Sequence, residues 1–165
     1  MNNNICCFTG HRPEGLGIKL KDGDLRYILL KKKIKEQIEK AIDDGYNHFI
    51  SGMAIGSDLI CASLVLEFKK KYKNVILECA IPCLNQTEKW TETDKLTYKK
   101  IIEKADIISY VSKEQYFDGC MKKRNEYMVN KSSLVIAIYN GKVSGTKQTI
   151  SLAYKKGIDV IIIKP

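Results

Sequence analysis

Only two histidines, His11 and His48, stand in the 165 residues, and the six cysteines include no Cys-x-x-Cys pair. The Cys/His spacing of a zinc site is therefore missing, and no metal or cofactor is expected. Cys6, Cys7, Cys61 and Cys79 sit inside apolar stretches, where cysteine acts as a small hydrophobe. That argues against a disulfide framework and for a reducing, cytoplasmic compartment. The opening Met-Asn-Asn-Asn lacks the charged and apolar regions of a signal peptide. No apolar run is long enough to span a bilayer, so no membrane partner is expected. Neither Gly-x-Gly-x-x-Gly nor the Walker A pattern is present. Repeats, linkers and low-complexity tracts are also missing, so residues 1–165 read as one domain. Acidic side chains are the last shortage: 19 Asp and Glu against 28 Lys and Arg leave a net charge of +9. An excess of that size suits an anionic partner such as a nucleotide, nucleic acid or acidic surface. A solvated lysine surface explains it equally well.

What is present alternates between apolar runs and helical periodicity. Asn4 to Phe8 reads as a first strand, and Pro13 is expected to stop any helix after it. Glu14 to Asp24 reads as a loop. Tyr27, Leu30, Ile34, Ile38 and Ala41 recur at helical spacing up to Asp44-Gly45, a glycine C-cap. Tyr46–Ile50, Val75–Ile81, Ala105–Val111, Leu134–Tyr139 and Asp159–Ile163 complete six strands. Helices are predicted from Ser57 to about Tyr72, from Asp94 to Lys104, after an Asp118 cap, and from Thr146 to Lys156. This order implies an α/β fold: a Rossmann-like, doubly wound, mostly parallel sheet with helices on both faces.

The stretch Ser51-Gly52-Met53-Ala54-Ile55-Gly56-Ser57-Asp58 joins a strand to a helix. Its glycines permit φ > 0 and close approach of a ligand. Ser57 is a good N-cap, and a helix start favours phosphate. Thr9-Gly10-His11-Arg12, Pro82 to Trp90 and Gly141 to Thr146 also follow strands, so all four segments fall on one edge of a parallel sheet. Each residue has a functional and a plain reading. Arg12 offers a fork to phosphate or makes a surface ion pair. His11 is an acid or base, or is bonded to backbone. Asp58 meets ribose hydroxyls or complements a helix start. Trp90, the only tryptophan, stacks on a base or packs half-buried. Arg124 and Asn125 reach a ligand or lie on an exposed helix face. Gly145-Thr146 opens a second helix N-terminus.

In chain order, Phe8-Thr9-Gly10-His11-Arg12-Pro13, Ser51 to Asp58, Pro82 with Gln86 and Trp90, Arg124-Asn125-Glu126-Tyr127-Met128-Val129 and Ser144-Gly145-Thr146 cover nearly the whole sequence. Together they resemble the YpsA/YoqJ-like branch of the SLOG superfamily. The resemblance implies a Rossmann-like nucleotide-binding domain, often oligomeric. It implies kinship with LOG phosphoribohydrolases, which activate cytokinins, and with DNA-processing protein A. It also implies kinship with domains that sense NAD-derived signals such as cyclic ADP-ribose. Members of the branch occur in Firmicutes and their phages. The phosphoribohydrolases carry Gly-Gly-x-Gly-Thr-x-x-Glu, whose glutamate is catalytic; here Thr149 holds that position.

The expected function is therefore non-catalytic binding of an ADP-ribose-type nucleotide, with a phage-borne sponge for an immune signal as its biological form. Thr9, Gly10, His11, Arg12, Gly52, Met53, Ala54, Gly56, Ser57, Asp58, Pro82, Trp90, Arg124, Asn125, Gly145 and Thr146 are the expected ligand-binding residues, with no catalytic residue among them. The alternative is a nucleotide hydrolase that uses His11, Asp58 or Glu126. Nucleic-acid binding ranks last, because the basic residues are dispersed along the sequence.

Overall fold

The computed structural model describes residues 4–165, so the reading of Met1 to Asn3 lies outside the described residues. Six strands form one parallel sheet: β1 (Ile5–Gly10), β2 (His48–Ser51), β3 (Ile76–Ile81), β4 (Ile107–Tyr110), β5 (Leu134–Ile138) and β6 (Asp159–Ile163). Their spatial order is β4-β3-β2-β1-β5-β6. Strands buried on both faces must be apolar throughout, and β5, Leu-Val-Ile-Ala-Ile, is buried at every position.

Alternation along the strands splits the core in two. Cys6 and Phe8 point to the face covered by α2 (Leu25–Asp43), α3 (Ser57–Lys71) and α4 (Glu92–Lys104). Cys7, Ile50, Ala80, Val135 and Ala137 point to the face covered by α5 (Cys120–Lys131) and α6 (Gly145–Lys155). All six cysteines are buried and unbridged. No helix among the described residues is long and apolar enough to cross a membrane.

Four local expectations need correction. Pro13 does not block a helix but starts one: α1 (Pro13–Leu16) has proline at its first position, where the missing N–H is not needed. Gly56, with φ of +90°, is the N-cap of α3 in place of Ser57, whose hydroxyl is used elsewhere. Gly119, also at +90°, caps α5 in place of Asp118. β1 continues through Thr9 and Gly10, which pair with Ala137 and Ile138, so the first strand runs two residues past Phe8.

Candidate functional site

The strand order reverses at β1, which has β2 on one side and β5 on the other. A crevice beyond the carboxyl ends of the strands is expected at such a point. A cavity of about 310 Å³ opens there. Thr9, Gly10, His11 and Arg12 bring β1 and its loop to the wall, and Ala54 and Asp58 bring the start of α3. The opposite wall is Arg124 and Asn125 of α5 with Gly145 and Thr146 of α6. A second cavity, about 650 Å³, adjoins the first and shares Arg12 and Met121 with it. Gln86, Trp90 and Tyr116 line the second cavity.

The Gly52–Ser57 turn spends its polar groups on the surrounding frame. Met53 N–H donates to Ser51 Oγ at 3.2 Å, and Ala54 N–H to Asp58 Oδ2 at 3.2 Å. Ser57 Oγ donates to the His11 carbonyl at 2.8 Å, with Ser57 N–H on the same oxygen at 3.3 Å. That pair of bonds stitches the loop after β1 to the start of α3. The joint is tight, since a Cβ on Gly10 would lie 2.5 Å from Ser57 Oγ and 3.0 Å from Ile138 Cβ. Gly52, Met53, Gly56, Ser57 and Pro82 thus build the frame and do not line either cavity.

Gly52 lies under Arg124. Its carbonyl accepts from Arg124 Nη1 and from Gln86 Nε2, the latter at 3.2 Å. Any Cβ at Gly52 would stand 2.5 Å from that guanidinium. Arg124 Nε donates to Asn125 Oδ1 at 2.8 Å. Arg124 is buried on the inward face of α5, so the exposed-face alternative falls. Burial pushes its pKa down, against the pull of Asp58. Burial raises the Asp58 carboxyl above the usual range, although Arg124, the Ala54 N–H and Arg12 all favour its charge.

Arg12 is exposed and makes no ion pair among the described residues, so the surface ion-pair alternative falls too. His11 is buried, stacks on Tyr139 at 5.5 Å between centroids, and accepts from Asn140 N–H through Nε2 at 3.2 Å. Burial lowers its pKa, so it rests as a neutral, backbone-bonded imidazole. The N–H groups of Gly145 and Thr146 have no acceptor among the described residues, and a Cβ at Gly145 would meet nothing within 4 Å. The N-terminus of α6 is thus open at the cavity, with Ser144 Oγ capping Lys147 N–H at 3.3 Å. Thr149 Oγ1 donates to Gly145 O at 3.0 Å inside that helix. Trp90 meets Tyr98 edge-on at 5.6 Å between centroids.

The family model for YpsA, described as the YspA SLOG family, matches residues 6–159. The chain belongs to this YpsA SLOG family. It is 28% identical over 155 residues to the UPF0398 proteins of Bacillus thuringiensis (strain Al Hakam) and Bacillus cereus (strain AH187). Those alignments cover 93% of this chain and 84% of each relative. Its fold is similar to DNA processing protein A (DprA) of Streptococcus pneumoniae, with a TM-score of 0.66 at 18% identity. That match covers 97% of this chain and 50% of the other. DNA processing protein A of Helicobacter pylori follows with a TM-score of 0.65 at 16% identity, over 98% of this chain and 65% of the other. The chain thus spans only half of the first DprA and 65% of the second.

Sequence reasoning missed several residues of this YpsA-family site. Met121 and Met128 line the first cavity, and their only signal was helical spacing beside Arg124. Tyr116 and Asn85 line the second cavity, where Asn85 Oδ1 accepts from Tyr116 N–H at 2.7 Å. Glu126, kept as a candidate acid, faces a separate small space between α5 and α6. Glu78, which lines neither cavity, was missed as well. Buried in mid-β3, it accepts from His48 Nε2 at 2.7 Å, Ser109 Oγ at 2.7 Å, Tyr127 Oη at 2.6 Å and Lys131 Nζ at 3.1 Å. These bonds outweigh burial and bring its pKa down to about 2.

Proposed function

We propose that this YpsA-family protein binds a phosphate-bearing nucleotide of the ADP-ribose or cyclic ADP-ribose type without turning it over. The observation that carries the reading is the position of Arg12: exposed, free of ion pairs among the described residues, and standing on the rim shared by two adjoining cavities. Across the first cavity the α6 N-terminus turns unused N–H groups toward it, a favourable place for phosphate. Asp58 supplies an acceptor for ribose hydroxyls. Trp90 and Tyr116 in the second cavity suit a base, which places phosphate and base on opposite sides of Arg12. Neutral, backbone-bonded His11 and the Thr149 side chain tied into α6 leave little acid–base machinery, which favours holding over hydrolysis. In a phage such a binder sequesters an NAD-derived immune signal.

The test is retention. Purified protein is mixed with NAD, ADP-ribose and cyclic ADP-ribose isomers, freed of unbound ligand and denatured, and the released material is identified by mass. Intact nucleotide from wild type, and none from Arg12→Ala, is the expected result. Retention of none of these compounds would defeat the reading. A hydrolase is the second reading, favoured by one observation: Asp58 lines the cavity, and burial raises its carboxyl pKa above the ordinary value. Cleaved products that vanish with Asp58→Asn would establish it. Nucleic-acid binding remains the third reading, since DNA processing protein A of Helicobacter pylori binds single-stranded DNA.

A further inference from the structure

A third cavity, about 580 Å³, lies between α3 and α4, on the face of the sheet away from α5 and α6. Both helices run back from the carboxyl ends of their strands, so they lie parallel and bring their C-termini together at the amino edge. The groove shares no lining residue with the two cavities at the Arg12 rim. Leu66 and Ile101 form its apolar floor, with the small side chains of Ser63 and Thr97 beside them. Its walls are lysine: Lys69, Lys70 and Lys73 on one side, Lys100 and Lys104 on the other. Lys69 is held by Asp106 at 2.5 Å, and the one acid in the wall, Glu67, is held by Lys35 at 2.7 Å. Lys70, Lys73, Lys100 and Lys104 are exposed and make no ion pair among the described residues. Lysine near a helix C-terminus complements the helix dipole. That effect does not require four unpaired ammonium groups around one apolar slot.

We infer that the α3–α4 groove docks an amphipathic, acidic helix of another protein. An apolar floor between two basic walls complements a helix with an apolar stripe flanked by carboxylates. A nucleic acid fits less well, because neither an aromatic platform for bases nor an arginine fork lines the groove. An anionic bilayer is flat and does not reach a concave floor. A second copy of this chain is excluded as the occupant by charge. Every helix from α2 to α6 carries more Lys and Arg than Asp and Glu, so a helix of another copy would meet the basic walls with net positive charge.

The test uses the whole protein and a fluorescein-labelled 18-residue helical peptide with leucines at i, i+3, i+4 and i+7 and glutamates on both flanks. Anisotropy should show saturable binding that weakens at high salt. Amide resonances of Ser63, Leu66, Thr97 and Ile101 should shift, while those of Gly145 and Thr146 stay still. Lys70→Glu with Lys104→Glu should weaken binding at least tenfold, with circular dichroism and the melting temperature confirming an intact fold. Replacing the probe's leucines with serine should also abolish binding. Three results would overturn the inference: no binding of the leucine–glutamate probe, equal binding of the serine probe, or preferential binding of a dT20 oligonucleotide with the same footprint.

Discussion

Glu78→Gln tests the physics of the buried network, because it removes the charge and keeps the shape. In the folded chain the carboxyl titrates at about 2, against an ordinary value of 4.5. Burial alone would raise it. The bonds from His48, Tyr127, Ser109 and Lys131 reverse that effect. At about 1.4 kcal/mol per pKa unit, the difference represents about 3 kcal/mol of folding free energy at pH 7. The folded pKa lies below the unfolded one, so the unfolded chain takes up the proton first. This stability is complete above pH 4.5 and drains away as pH falls toward 2; about 2 kcal/mol of it is gone by pH 3. Urea unfolding of wild type and Glu78→Gln at pH 7, 5, 4 and 3 measures it. Asp106 and Glu39 also have lowered pKa values, but they titrate in both proteins and cancel in the difference. The stability gap between the two proteins should narrow by about 2 kcal/mol from pH 7 to pH 3. A gap that stays constant with pH would refute the assignment of the network to a charged Glu78.

Gly10→Ala should lower stability by about 1–3 kcal/mol in scanning fluorimetry, because rigid atoms of Ser57 and Ile138 occupy the space. Gly145→Ala should leave the melting temperature unchanged or raise it, since nothing stands within 4 Å, while its methyl group intrudes on ligand space. Arg124→Met should destabilise the fold by about 1–3 kcal/mol in urea, because the buried Gly52 carbonyl and Asn125 Oδ1 each lose the guanidinium as donor. A proton NMR titration of the His11 ring should give an apparent pKa below that of free histidine. The folded value is the lower one, so the stability His11 contributes is present above about pH 6.5 and is lost as pH falls below it.

Elements written in local pattern were legible. The last strand was placed at Asp159–Ile163, as observed, and the second helix was readable from its apolar stripe. Helix starts failed where a side-chain cap seemed obvious: Ser57 and Asp118 are good caps by residue type, yet the glycine before or after each does the work. The edge that carries the crevice was legible because parallel topology sends every β–α loop to one end. Its division into lining residues and frame was not, since that depends on where the Gly52–Ser57 turn finds its own partners. Glu78 looked like one polar residue in the strand Val75–Ile81, and its partners come from β2, β4 and α5. The basic groove was invisible for a similar reason. Its two lysine groups are separated in sequence and meet only because α3 and α4 are neighbours.

The central place of β1 also bears on how the chain is made. Cys6 must pair with Leu134, near the opposite end of the sequence. At roughly 5–20 residues per second, a ribosome takes on the order of ten seconds to deliver the second partner after the first. During that interval β1 to β4, with α2, α3 and α4, can form a half-sheet. Its other face, Cys7, Ile50 and Ala80, stays bare until α5 and β5 emerge. The same switch point that opens the crevice therefore makes the nascent chain wait with an unpaired strand edge and an uncovered apolar face.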